Sequence, residues 1–301
     1  MLAIIIINYN KYEKTIECIE SIRKTYNKEY KIYLLDNAST NDSQKVLQEK
    51  YSEDPQIKLI LSDDNLGYAR GNNLCLKMAV ADGCKYAIVS NNDIVFKENA
   101  IECLYDRIKT GEYLAVGPCI LKENGSVQNS VKLTKPRFHH YIWHETYLRS
   151  LLPKRSRTEN APTQSVDVYW LSGCLFMFDL VKFEPIGFFD PYTFLFFEEY
   201  IVSEKARNKG MKLQYCYEAK VIHCHGASMG GAVNMVTKKA NWRSESYVMQ
   251  KYFGWNYFRR LLVWWVRCLE AKYVLRHQEQ KKEIFKDFYT AGKKYVRGVD
   301  E

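Results

Sequence analysis

Carboxylates and carboxamides gather in four short clusters, each directly behind an apolar run. Asn8-Tyr9-Asn10 follows Ala3–Ile7, and Asp36-Asn37-Ala38-Ser39-Thr40-Asn41-Asp42 follows Lys31–Leu35. Asp63-Asp64-Asn65-Leu66-Gly67 follows Ile57–Leu61, and Asn91-Asn92-Asp93 follows Tyr86–Ser90. Asp36 can accept a hydrogen bond from the N–H of a planar base, or its run can serve as a turn and N-cap for the next helix. An acidic pair, Glu198-Glu199, sits among Phe194, Phe196, Phe197 and Tyr200, and two histidines flank Cys224. No Gly-x-Gly-x-x-Gly follows the first apolar run and no Gly-x-x-x-x-Gly-Lys-Ser/Thr occurs anywhere, which excludes the common nicotinamide and P-loop readings. Nine cysteines without a Cys-x-x-Cys pair speak against a disulfide framework or zinc ribbon and for a reducing cytosol.

The elements that must position these groups alternate over the first 120 residues. Ala3–Ile7, Lys31–Leu35, Ile57–Leu61, Tyr86–Ser90 and Leu114–Leu121 read as strands. Between them Glu13–Thr25, Ser43–Tyr51, Gly71–Ala81 and Asn99–Ile108 carry apolar residues at helical spacing. Alternation with nearly continuous apolar strands predicts an α/β fold, a mostly parallel central sheet covered by helices on both faces. In such sheets ligands sit at the carboxyl ends of the strands, where the polar clusters fall. Residues 122–165 lose the pattern and read as an insertion or mobile loop. Order returns with strands Val166–Trp170 and Leu175–Phe178, a turn at Pro185-Ile186-Gly187, a helix Phe197–Lys209 and a strand Lys212–Tyr217. The expected organisation is a domain over 1–237 and a helical region over 238–301.

Charge divides the chain at the same place. Residues 1–237 carry 29 Lys/Arg against 28 Asp/Glu, and residues 238–301 carry 15 against 7. In the tail Phe258, Leu261, Leu262, Trp265 and Leu269 follow helical spacing, with Trp255 and Trp264 adding bulk and Arg259, Arg260, Arg267, Lys272 and Arg276 adding charge. Basic residues beside a Trp-rich apolar stripe describe a helix lying on an anionic membrane surface. A core-packing or homodimer-forming helix is the alternative, and nucleic acid ranks below both because no recognition motif accompanies the charge. The longest apolar run, Met1–Ile7, falls far short of the roughly 20 residues a spanning helix needs. It also lacks the basic n-region and cleavage site of a secretory signal.

Taken in order, the motifs resemble those of a known family. Ile-Ile-Asn-Tyr-Asn (6–10), the 36–42 run, Asn-Leu-Gly-Tyr-Ala-Arg-Gly-Asn-Asn (65–73) and Ser-Asn-Asn-Asp-Ile (90–94) come first. Leu-Ser-Gly-Cys (171–174), Ile-Gly-Phe-Phe-Asp (186–190), Phe-Phe-Glu-Glu (196–199) and His-Cys-His-Gly-Ala-Ser (223–228) follow. The series is similar to the family 2 glycosyltransferases of the GT-A fold, in particular the rhamnosyltransferase-like branch that builds bacterial surface polysaccharides.

The resemblance implies a metal-dependent, inverting transfer from a nucleotide-sugar donor, dTDP-rhamnose first and UDP-sugars next, to a glycan or polyprenyl-linked glycan acceptor. It implies a peripheral enzyme on the inner face of the cytoplasmic membrane. A divalent cation, Mn²⁺ or Mg²⁺, would be held by Asp93, with Asn91 a neutral substitute, and by His223 or its neighbour His225. Asp93 as a helix cap is the bland alternative. The general base would be Glu199 with Glu198 beside it, the aromatics raising the carboxylate pKa by desolvation; two glutamates complementing a helix N-terminus would look the same. Donor binding would fall to Asn8, Asn10, Asp36, Asn65, Gly67, Arg70, Gly71, Asn72, Asn92 and Gly173, although the glycines could equally serve turns. Asn91 and Ile201 stand where the family carries acids, the one support for a non-catalytic scaffold or partner subunit of a glycan-assembly complex.

Overall fold

The computed structural model describes residues 1–151, 161–224, 235–276 and 281–298. The chain forms two compact units. The first is built from residues 1–134, 161–194 and 198–226, and the second from 135–160, 195–197 and 227–301.

The first unit is the α/β body. Strand β1 (Leu2–Asn8) is followed by α1 (Tyr12–Thr25), β2 (Tyr30–Asp36), α2 (Ser43–Tyr51), β3 (Ile57–Leu61), α3 (Gly67–Ala81) and β4 (Tyr86–Asn91). Then come β5 (Ile94–Phe96), α4 (Ala100–Ile108), β6 (Tyr113–Leu121), β7 (Val131–Lys132), β8 (Val166–Val168), β9 (Trp170–Leu171) and β10 (Leu175–Asp179). The helix Glu198–Asn208 and β11 (Lys212–His223) complete it. The sheet order is β3-β2-β1-β4-β10-β6-β11-β5, with β8 on β11. Strands β3, β2, β1 and β4 are parallel, β10 enters antiparallel between β4 and β6, and β6 and β11 are again parallel.

Both faces of β1 are buried, which explains its unbroken apolar run. Leu2, Ile4 and Ile6 pack with Cys18, Ile19 and Ile22 of α1, whereas Ala3 and Ile5 pack with Ala69, Cys75, Leu76 and Ala79 of α3. Period-2 alternation is thus hidden because each face meets a helix. A cluster of Phe176, Phe178, Phe183, Phe188 and Phe189 fills the second face farther along.

Several features depart from the sequence reading, and the expected strand Val166–Trp170 is split, β8 pairing with β11 and β9 with β7. Helix α3 begins at Gly67, four residues early, because Asn65 and Asn37 side chains satisfy its first N–H groups. The three-residue β5 was not anticipated, and β11 runs on to His223 through a register shift between Cys216 and Lys220. The stretch 122–165 is not featureless: β7 pairs with β9, and a helix Phe138–His144 and a 3₁₀ turn Tyr147–Leu151 follow.

The second unit is helical, with Met235–Tyr247, Tyr257–Leu275 and Lys281–Arg297 as its long elements. Trp242, Met249, Trp255, Val263, Trp264 and Phe288 form its core. The tail is interrupted rather than helical throughout. A π turn at Val248–Tyr252 leads to Gly254 at φ +66°, and Asn256 caps the next helix by accepting from the Arg259 N–H at 3.1 Å. Gly292 is required where helices meet, since a Cβ there would lie 2.4 Å from Trp264 Nε1.

Candidate active site

The strand ends hold one another before they offer anything to a ligand. Asn8 and Asp36 are register partners on β1 and β2, and both are fully buried. Asn8 Nδ2 donates to Asp36 Oδ2 at 2.7 Å, and Asn8 Oδ1 accepts from Thr15 Oγ1 at 2.7 Å. Asp36 also accepts from the Ser39 N–H at 2.9 Å and from Ser39 Oγ at 2.7 Å. The carboxylate therefore locks the 37–40 turn, where Ala38 takes φ +60°. It does not cap α2, because Asn41 Oδ1 accepts from the Ser43 N–H at 3.1 Å instead. Asn10, at φ +57°, donates its N–H to Ser39 Oγ and accepts from the Thr40 N–H at 2.7 Å. Asn92 Nδ2 joins the network through Thr15 Oγ1 at 3.0 Å. Asn8, Asn10, Asp36 and Asn92 are thus brought together as one braced cluster.

The α3 positions divide by exposure. Asn65 and Arg70 are exposed, whereas Gly67, Gly71 and Asn72 are buried. Gly67 sits at φ +71°, and a Cβ there would meet the Phe194 carbonyl oxygen at 2.5 Å. Gly71 lets α3 approach the sheet, where a Cβ would lie 2.9 Å from Ile7 Cδ1. Both glycines are therefore explained by packing within the unit. Arg70 Nε donates to the Pro191 carbonyl at 3.2 Å, and Asn72 Nδ2 donates to the Tyr68 carbonyl at 2.9 Å.

Gly173 and the acidic pair form the second focus. The Gly173 N–H donates to Glu199 Oε1 at 3.1 Å, while the Gly173 carbonyl accepts from Tyr68 Oη at 2.7 Å. A Cβ at 173 would lie 2.3 Å from Glu199 Oε1, so the carboxylate occupies the space that glycine leaves open. Burial raises both glutamate pKa values. For Glu198 the charge of Glu199 adds to it and Thr193 opposes it; for Glu199 the Gly173 N–H opposes it. Glu198 is 3% exposed and Glu199 is half-buried, so Glu199 is the more accessible of the two. Of the flanking aromatics, Tyr200 is buried beside Trp170 and Phe194 is 46% exposed. Ile201 is fully buried on the core face of the Glu198–Asn208 helix.

Asp93 and His223 meet because β5 and β11 pair. His223 is the register partner of Ile94, and the Cys224 N–H donates to the Asp93 carbonyl at 2.9 Å. His223 Nε2 lies 3.2 Å from Asp93 Oδ1, a buried oxygen that accepts no hydrogen bond in this geometry. A buried carboxylate oxygen facing an imidazole nitrogen offers two ligands of the kind a divalent cation accepts, and phosphate and water would have to supply the rest. No group of three or more His, Cys, Asp or Glu side chains gathers among the described residues. His225 lies outside the described residues. Asn91 ends β4, with its N–H donated to the Cys174 carbonyl at 2.8 Å.

Sequence reasoning passed over Tyr68, Asn37, Ser39 and Asn73. Asn73 donates to the Phe189 carbonyl at 2.9 Å and accepts the Phe189 N–H at 3.1 Å, anchoring the segment before the acidic pair. These partners stand 116 positions apart, and no local spacing signals such a contact.

Residues 3–184 match the family model described as Glycosyl transferase family 2. The N-acetylglucosaminyl-diphospho-decaprenol L-rhamnosyltransferase of Mycobacterium tuberculosis (strain ATCC 25618 / H37Rv) is 23% identical over 242 residues, covering 76% of this chain and 78% of that one. The low-salt glycan biosynthesis hexosyltransferase Agl10 of Haloferax volcanii is 25% identical over 223 residues, 74% of this chain and 66% of that protein. Among solved structures, GalNAc-T7 with UDP, GalNAc and Mn²⁺ superposes with a TM-score of 0.64 at 15% identity. That match covers 99% of this chain but 56% of the other, so the chain spans just over half of that protein. The architecture is the GT-A fold.

Proposed function

Since the chain belongs to glycosyl transferase family 2, we propose that it moves a sugar, with inversion, from a nucleotide-diphosphate sugar to a glycan acceptor in capsule, O-antigen or cell-wall polysaccharide synthesis. The observation that carries this reading is the half-buried Glu199 carboxylate, fixed by the Gly173 N–H at 3.1 Å in surroundings that raise its pKa. A carboxylate so placed takes the proton of an acceptor hydroxyl as that oxygen bonds to the anomeric carbon. The bond from that carbon to the diphosphate oxygen breaks, and the nucleoside diphosphate leaves with the electron pair. A general base of this kind contributes roughly 10²–10⁴-fold. Glu198, the less exposed of the two, has its carboxyl raised by burial and by the charge of Glu199, which favours its neutral form beside an ionised Glu199.

Asp93 and His223, with Asn91 as a neutral neighbour, are the residues that would hold Mn²⁺ or Mg²⁺. Such a cation, when bound, neutralises diphosphate charge as a Lewis acid. Donor contacts are proposed for Asn65, just before α3, and Arg70 in its first turn, both exposed, with the Asn8–Asp36 network bracing the neighbouring turn. Donor identity is proposed as dTDP-rhamnose or a UDP-sugar, and the acceptor as a polyprenyl-linked glycan on the inner face of the cytoplasmic membrane. The rhamnosyl and diphospho-decaprenol parts of the Mycobacterium relative's name support this choice, as does the basic C-terminal region.

A thermal-shift panel of dTDP-, UDP- and GDP-sugars with and without Mn²⁺ or Mg²⁺, followed by assay of nucleotide release, tests the proposal. A donor at 100 times its dissociation constant adds about 2.7 kcal/mol of stability. Absence of both stabilisation and nucleotide release across the panel would overturn it in favour of the non-catalytic scaffold.

A further inference from the structure

The helix Tyr257–Leu275 carries two apolar faces, and the unit to which it belongs covers only one. Val263, Trp264, Cys268, Ala271 and Leu275 are buried in the core. Opposite them Phe258 is 76% exposed, Leu262 49%, Trp265 61%, Leu269 51% and Tyr273 46%. Successive residues turn by about 100° around a helix, so these five lie within a stripe about 80° wide. Five large apolar side chains in one continuous line is more than scattered surface exposure.

The charges around the stripe specify what covers it. Lys272 and Arg276 fall on the same side by helical angle and both are exposed, Lys272 at its edge with its ammonium 5.1 Å from the Phe285 ring. Arg276 lies over the Tyr273 ring at 3.9 Å. The one acid in residues 257–276, Glu270, points elsewhere and pairs with Arg267 at 2.9 Å and Lys238 at 3.3 Å. Two of the arginines expected to face a membrane belong to the interior instead. Arg267 binds Glu245 at 2.7 Å, and Arg260 is 7% exposed with Nη1 donating to Gln250 Oε1. What remains outside is apolar, aromatic and cationic, with no acid on the stripe.

We infer that the Phe258, Leu262, Trp265, Leu269 and Tyr273 face is a monotopic docking surface for an anionic lipid bilayer, with Lys272 and Arg276 meeting the headgroups. Among the described residues no helix is long and apolar enough to cross a membrane, so this helix lies along the interface. The inference deepens the membrane-side reading proposed above by naming the face that makes contact, and it excludes Arg260 and Arg267 from it.

Flotation of the full chain with phosphatidylcholine vesicles, with and without 30% phosphatidylglycerol, tests the assignment. Binding is expected to the anionic vesicles and to weaken with salt. Leu262→Ser/Trp265→Ser/Leu269→Ser, exposed positions outside the core, should lower the partition at least 10-fold with an unchanged melting temperature, and Lys272→Glu/Arg276→Glu should abolish the preference for phosphatidylglycerol. Quenching of tryptophan fluorescence by brominated lipid should drop sharply in Trp265→Phe. Vesicle binding that survives the triple substitution overturns the inference. So does a wild-type protein that ignores vesicles, or one whose stripe joins two copies into a dimer that the triple substitution dissociates. Nucleotide release measured on the same variants with a soluble acceptor keeps failure of the docking face separate from failure of the glycosyltransferase reading.

Discussion

Replacing Glu198 by glutamine should stabilise the protein, and by an amount that grows with pH. The carboxyl is 3% exposed and pushed from 4.5 up to about 8, first by burial and then by the charge of Glu199. A raised carboxyl pKa means that the folded chain holds a proton the unfolded chain has released. Its contribution is complete below the unfolded value of 4.5 and is lost as pH rises through the folded value of about 8. Each unit of raised pKa corresponds to about 1.36 kcal/mol, which sets a ceiling of about 5 kcal/mol at high pH. Local relaxation and water entry around the ionised group lower that ceiling, leaving about 2–4 kcal/mol at pH 9. Glutamine keeps the shape of the protonated acid and never ionises. The variant and wild type should therefore melt within about 1 kcal/mol of each other at pH 5 and diverge by about 5–10 °C at pH 9. Differential scanning calorimetry of both proteins at half-unit steps from pH 5 to 9 reads the difference directly. A gap that stays flat with pH would refute the account of Glu198 as a carboxyl kept neutral by the fold.

Four other outcomes follow from the site. Glu199→Gln should lower turnover by about 10²-fold or more while donor affinity, measured by calorimetry, changes little, because it removes the base and not a donor contact. Gly173→Ala should displace the same carboxylate, whose Oε1 lies 2.3 Å from the added Cβ; loss of turnover comparable to Glu199→Gln is expected, and wild-type turnover would refute the arrangement. Asp93→Ala should abolish metal-dependent stabilisation by donor in the thermal-shift assay, and retention of full metal dependence would move the cation elsewhere. Arg267→Ala leaves Glu245, 1% exposed at its side chain, without a cation and with only the Tyr141 hydroxyl at 2.6 Å facing its Oε1, and should destabilise the helical unit by about 3–5 kcal/mol, visible as an early transition in calorimetry.

The sequence by itself determined the α/β order of the first unit, because the strands buried on both faces must be continuously apolar and the helices between them must carry one apolar stripe. Ser43–Tyr51 and Ile57–Leu61 match their predicted bounds, β1 and β2 extend theirs by one residue at each end, and β4 extends its own by one. It also pointed to polar clusters at the strand ends, since polar residues tolerated directly after a buried strand lie at the sheet's rim. Tertiary structure alone decided which of those residues face one another. Asn8 and Asp36 are buried where parallel register places them side by side, their polar atoms satisfied by one hydrogen bond to each other and by others to Thr15 and Ser39. Asp93 met His223 through a three-residue strand too short to have a periodicity. Composition revealed that the tail was basic and amphipathic, yet it could not say which arginines were outside. Arg259 and Arg260 are neighbours in sequence, but a rotation of about 100° per residue leaves one at the surface and sends the other beneath it. Helical spacing gives a stripe only up to rotation about its axis. The packing of Trp264 and Val263 into the core fixes that rotation, and with it which apolar face stays open.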